Sequence, residues 1–177
     1  MPGVDVALTD FPEKEAQAAL VQELLDDTVN AFLCVGPPGD PTLAVGTVEN
    51  VAAGHAFPSG ATADRRAWIE LVAYQGDAEV YRSDFEANPD DPSGWSLWST
   101  LSREDGAPTH NFWEAADIDG DLLPVQTTTD PNDPDYVFTH ISHDWLVPAT
   151  PDRITMRVRI RPIAEEILDD LVASGDL

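Results

Sequence analysis

Residues 154–161 alternate without a fault: Ile154, Met156, Val158 and Ile160 fall on one side, Thr155, Arg157, Arg159 and Arg161 on the other. Successive side chains of a strand point to opposite faces, so this pattern predicts a strand with one buried face. Such a strand needs a sheet, and the sheet needs something packed on it. Other runs repeat the signal. Thr42–Asn50, Arg65–Tyr74 and Tyr136–His143 read as strands, Ser96–Leu101 and Asn111–Ala115 more weakly. Within Arg65–Tyr74, Ala67, Ile69, Leu71 and Ala73 share one face, and Trp68, Glu70, Val72 and Tyr74 the other. Gln75-Gly76-Asp77 predicts a hairpin to Glu79–Arg82, and the apolar run Ala31–Val35 closes on the turn Gly36-Pro37-Pro38-Gly39.

Short strands at regular spacing with turn signals between them predict a mainly-β chain, an antiparallel immunoglobulin-like β-sandwich. A helix is expected at either end. Over 10–29, Asp10 is placed to cap, Pro12 suits the first turn and Glu13 completes a capping box; Ala16, Leu20, Val21, Leu24, Leu25 and Thr28 form the apolar stripe. Over 162–175 the stripe is Ile163, Ile167, Leu168, Leu171 and Val172, with Gly175 as the stop. Residues 86–94 and 117–135 are expected to be loops, the second long and acidic. The 177 residues suit a single domain, with the sandwich over 31–161.

Charge narrows the choice of partners. There are 33 acidic residues against 9 Lys and Arg, a formal net charge of -24. Such a field repels phosphates and anionic lipid surfaces, so nucleic-acid binding is not expected. It favours cations or a basic partner, and otherwise serves as a solvated acidic surface. No apolar run approaches the ~20 residues of a membrane span, so no membrane insertion is expected. Met1–Asp10 lacks the basic start and apolar stretch of a signal peptide.

Enzymatic signatures are absent: there is no GxSxG, HExxH or P-loop. No catalytic residue is assigned, and a non-catalytic role is expected. Cys34 is the lone cysteine, which leaves no internal disulfide and no CxxCH haem attachment, and its apolar setting predicts a buried thiol. His55, His110 and His140 are candidate metal or haem ligands, and copper or zinc suits a three-imidazole set. His140 and His143, three apart on a strand, are expected on opposite faces. Asp117, Asp119 and Asp121 resemble half of a calcium loop, without its glycine and closing glutamate. Trp95, Trp98, Trp113 and Trp145 offer an aromatic platform for carbohydrate or peptide, or core packing instead. The cations Arg157, Arg159 and Arg161 are expected to pair with carboxylates such as Glu70.

The most specific segment is Gly54-His55-Ala56-Phe57-Pro58-Ser59-Gly60 followed by Arg65-Arg66-Ala67-Trp68. Two glycines and a proline around a histidine demand one defined turn, and such a turn holds an imidazole in a fixed direction. This stretch resembles the GHxFP[ST]G…RRxW segment of the haem-free C-terminal β domain of bacterial multihaem c-type cytochromes. The resemblance implies an accessory or docking domain in extracytoplasmic electron transfer, periplasmic or extracellular, beside a haem-bearing segment or partner protein. It implies haem in the parent protein but none attached covalently here, with His55 as an axial or outer ligand. Two alternatives stand beside it: a stand-alone copper or zinc domain built on the histidines, and an aromatic-lined carbohydrate- or peptide-binding module.

Overall fold

The computed structural model describes residues 13–39 and 41–175. The N-terminal helix α1 (Lys14–Thr28) runs directly into β1 (Val29–Val35). Then follow β2 (Thr42–Asn50), β3 (Arg66–Gln75), β4 (Ala78–Ser83), β5 (Trp95–Ser96), β6 (Ser99–Ser102) and β7 (Pro108–Thr109). A 3-10 turn (Phe112–Glu114), β8 (Asp117–Gly120), β9 (His140–Val147), β10 (Arg153–Arg161) and helix α2 (Glu165–Ser174) complete the chain. The first sheet is ordered β1-β2-β9 and the second β10-β3-β4 with β5 also on β3, while β7-β6-β8 form a small third sheet. All pairings are antiparallel. The mainly-β, antiparallel sandwich with a helix at each end is thus the observed architecture.

The core follows from strand parity. Ala44 and Val48 of β2 and Trp145 and Val147 of β9 meet Ala67, Ile69, Leu71 and Ala73 of β3 in one cluster, closed by Phe57, Trp95, Leu97 and Leu123 from the connections. Each fully buried Ile or Leu here contributes about 2 kcal/mol of transfer free energy. Gly46 makes room for the largest of these side chains. A Cβ there would sit 2.7 Å from both Cζ3 of Trp145 and Sδ of Met156, so only glycine lets the indole lie across β2 under the facing sheet.

Strand β3 is buried on both faces. Its outer side carries Trp68, Glu70 and Val72, and the register with β10 sets Arg157 opposite Glu70 and Arg159 opposite Trp68. Glu70 accepts from Arg159 (2.8 Å), Arg82 (3.4 Å) and Arg157 (3.5 Å). Arg157 and Arg159 therefore meet the expected carboxylate, whereas Arg161 pairs with Glu165 (2.8 Å) and Glu86 (3.8 Å).

The loop 84–94 joins the two main sheets through a single carbonyl. Ser93 O accepts from Ser83 Oγ (3.0 Å), Trp145 Nε1 (3.0 Å) and His143 Nε2 (3.2 Å). Asp91 holds that loop in shape, accepting from Ser93 N (2.9 Å), Ser93 Oγ (2.7 Å) and Asp84 N (3.0 Å). Burial pushes the Asp91 carboxyl up, but the donors on Ser93, Ser83 and Asp84 outweigh it and hold it below its ordinary value. A depressed carboxyl contributes stability above the unfolded value of about 3.9 and loses it as pH falls through the folded value. Asp91→Asn is therefore expected to cost about 1–2 kcal/mol at pH 7. Urea unfolding at stepped pH should show that gap narrowing below about pH 4.

Several expectations need correction. Asn111–Ala115 is not a strand: Glu114 N bonds back to Asn111 O at 2.9 Å, closing a tight turn instead. The loop expected over 117–135 opens with β8, because Ser99–Ser102 offers it a free edge. Ser96–Leu101 breaks into β5 and β6, which pair in different sheets. The strand read over Tyr136–His143 lies instead at His140–Val147, with Ile141, His143, Trp145 and Val147 inward. Cys34 is exposed, since it sits on the uncovered outer face of the edge strand β1. On α1, Leu20 and Leu24 are exposed, and the partly covered stripe is Ala18, Val21, Leu25 and Thr28. The cap assigned to Asp10 and Pro12 lies outside the described residues.

Candidate functional site

The Gly54–Gly60 segment crosses one end of the sandwich after β2, and its backbone is tied on every side. Asn50, fully buried at the end of β2, donates from Nδ2 to His55 O (2.7 Å) and Pro124 O (3.0 Å) and accepts from Ala53 N at Oδ1 (3.2 Å). Phe57 and Leu123 exchange both backbone hydrogen bonds at 2.8 Å. Gly54 and Gly60 adopt φ of +69° and +78°, a region that side chains resist, which is why glycine brackets the loop. The Phe57–Pro58 peptide is cis.

The matched side chains serve this turn. Phe57 is 6% exposed and joins the core, with Pro58 fully buried beside it. Arg65 Nη1 donates to Ser59 O (2.5 Å) and Arg66 Nη1 to Ala63 O (2.6 Å). Arg66 also pairs with Glu166 of α2 and lies over the Trp98 ring at 5.2 Å. Trp68 Nε1 donates to the buried Asp84 carboxylate at 2.7 Å.

His55 is the exception. It is the exposed side chain among the ionisable and aromatic members of the motif. Its Nδ1 lies 3.0 Å from Ala56 O. A carbonyl only accepts, so this contact is made by Nδ1–H, and in the Nδ1–H tautomer the ring lone pair lies on Nε2. A neutral imidazole with its inner nitrogen tied to a carbonyl is the arrangement that orients a ligating histidine.

The other candidates are dispersed. His110 lies in the turn after β7, with Nε2 3.5 Å from Asp170 Oδ2 on α2. His140 opens β9 opposite Glu49 and is exposed. His143, on the inward face, stacks on Trp95 (5.4 Å between rings) and meets Trp145 edge-on (4.7 Å). Among the described residues no group of three or more His, Cys, Asp or Glu is placed to hold a metal ion. Asp117 and Asp119 share one face of the extended β8, with Asp121 following it, rather than curling around a centre. Trp95 and Trp145 are buried, so the four-tryptophan platform does not form.

Two openings have no signature in the sequence. A groove of about 580 Å³ separates the edge strands β1 and β10 under α1, lined by Leu25, Val29, Val158, Ile160 and the ring of Phe57. A cleft of about 260 Å³ lies between Trp68, Phe85, Trp98, Arg66 and Arg161. Both are assembled from segments far apart in the chain, so spacing carries no trace of them.

No family model matches this chain, and no curated protein matches its sequence. Among solved structures, a penta-haem cytochrome c552 from Thermochromatium tepidum is similar, with a TM-score of 0.65 and 14% identity. The match covers 85% of this chain and 36% of that one, so this chain spans about a third of the cytochrome's length. At that identity the likeness is one of fold: a penta-haem cytochrome carries, over part of its chain, the arrangement of sheets described above.

Proposed function

We propose that this chain is a non-catalytic accessory domain of multihaem-cytochrome-like electron transfer outside the cytoplasm, set against a haem-bearing segment or partner. The observation that carries this reading is the fold shared with part of a penta-haem cytochrome. The chain has one cysteine and no CxxCH, so covalent haem of that kind would belong to the partner. The loop geometry supplies a chemical means of contact: His55 is exposed on a turn that Phe57, Pro58, Arg65 and Arg66 fix in place, and its Nδ1 is the ring nitrogen engaged with the backbone. A haem presented there would supply one-electron chemistry. The residues of this chain would orient the imidazole and keep Nδ1–H engaged with Ala56 O.

Titration of the protein into a five-coordinate haem peptide tests this by its Soret spectrum. Wild-type protein is expected to convert the haem to a low-spin, six-coordinate form, and His55→Ala to lose most of that conversion while His140→Ala keeps it. Equal conversion by all three proteins would sink the assignment of His55.

A further inference from the structure

The third sheet ends in a tip that the core does not explain. Within seven residues it exposes Phe112 (55%), Trp113 (82%) and Ile118 (61%). Indole is the side chain most often found anchoring a protein interface, and three large apolar groups this close in the chain are unusual on a surface so rich in acids.

The exposure of Trp113 is built in. Its neighbour Glu114 is drawn onto the body of the tip by Arg103, with Nε at 2.8 Å and Nη2 at 2.5 Å, and by Thr109 Oγ1 at 3.1 Å. Asn111 N is held by Thr109 Oγ1 at 3.1 Å, and Ala116 N by Ser102 O at 2.8 Å. Both sides of the 3-10 turn are thus fastened, and Trp113 projects from a fixed frame. An anchor already in position loses little conformational freedom on binding.

The rim is charged with one sign. Glu104, Asp105, Glu114, Asp117, Asp119 and Asp121 are all exposed in the same segment, Asp117 and Asp119 on the face of β8 opposite to Ile118, and Arg103, the one Lys or Arg of the segment 99–121, is spent on Glu114. Apolar anchors inside a polar rim are the anatomy of a protein interface. The sign of this rim selects the partner, because an acidic surface would be repelled and a basic one steered in.

We propose that the Phe112–Trp113–Ile118 tip is a docking surface for a basic protein that offers an apolar pocket ringed by lysine and arginine. This rests on the tip alone and stands whatever becomes of the haem reading.

Calorimetric titration of the full chain with two peptides of equal charge tests it: an amphipathic leucine/lysine peptide and an all-lysine peptide. The leucine/lysine peptide is expected to bind more tightly. Trp113→Ser should weaken it about thirtyfold, as loss of a hot-spot aromatic does, and bring it to the level of the all-lysine peptide. Ile118→Ser should act in the same direction, and added salt should weaken both peptides. Because Trp113 is almost wholly exposed, the variants should melt with the wild type. Equal affinity for the two peptides, or a Trp113→Ser protein that binds as the wild type does, would overturn the proposal. So would sedimentation showing self-association that depends on Trp113, which would give the surface to a second copy of this chain.

Discussion

Phe57→Ala is expected to lower stability by about 3 kcal/mol, at the low end for deleting a buried aromatic ring. The ring is 6% exposed and joins Leu123, Trp95 and Leu97 in the core, so its removal loses transfer free energy and leaves a cavity. One edge already borders the groove beneath α1, which is why the upper end of the range is not expected. The effect has a second part. Phe57 is the point at which the His55 loop is sewn to Leu123, so the variant should loosen His55 as well. Urea unfolding measures the first effect, and hydrogen exchange at Phe57 N and Leu123 N the second. A cost below about 1 kcal/mol with both amides still protected would mean that the ring does not hold the loop.

Glu70→Ala carries the other large effect, and for an electrostatic reason. The carboxylate is 4% exposed, and three arginines converge on it. Removing the shared anion leaves Arg157 and Arg159 without their carboxylate, while Arg82 keeps Glu79 and Asp84; Arg159 Nε is already buried and without a hydrogen-bond partner among the described residues. Breaking a buried ion pair from one side costs about 3–5 kcal/mol. Arg157 is 62% exposed and Arg82 31%, so water relieves part of that cost and the expected loss is about 3 kcal/mol. The penalty should shrink in molar salt, where the leftover charges are screened. Glu70→Leu combined with Arg159→Met should recover much of it, since exchanging an ion pair for apolar groups of similar size is often close to neutral. Urea melts at low and high salt read all three effects. An Ala variant as stable as the wild type would show that Glu70 is not the hub of this face.

What the sequence disclosed was local. The alternation at Ile154–Ile160 placed β10, Gln75-Gly76-Asp77 placed the β3–β4 hairpin, and Gly175 marked the stop of α2 with φ of +83°. Each of these signals acts through the backbone of its own few residues. The misplacements involve what lies across the fold. Tyr136-Val137-Phe138 has strand composition, yet Val137 is exposed and the two rings pack on each other at 5.3 Å, while the true strand begins at His140, where β2 offers partners. Its inward histidine disguised the alternation that runs on to Val147. Phe112-Trp113 reads as a strand for the same compositional reason, but the local bond from Glu114 N to Asn111 O closes it into a turn. Cys34 and Leu24 are exposed because none of the described residues packs on their side, which no local pattern encodes. For the site, glycine and proline around His55 told of a fixed turn. The roles of Asn50 and Leu123 depended on contacts up to 74 residues apart and were invisible.

Long-range ¹H–¹⁵N correlation spectra of the histidine rings at neutral pH test the central claim most directly. That claim is the proposal that the Gly54–Gly60 turn holds the His55 imidazole ready for a group supplied from outside. The account predicts that the neutral form of His55 is held as the Nδ1–H tautomer by Ala56 O, while that of exposed His140 averages between tautomers. A His55 ring that averages as His140 does, or that carries its proton on Nε2, would contradict the account.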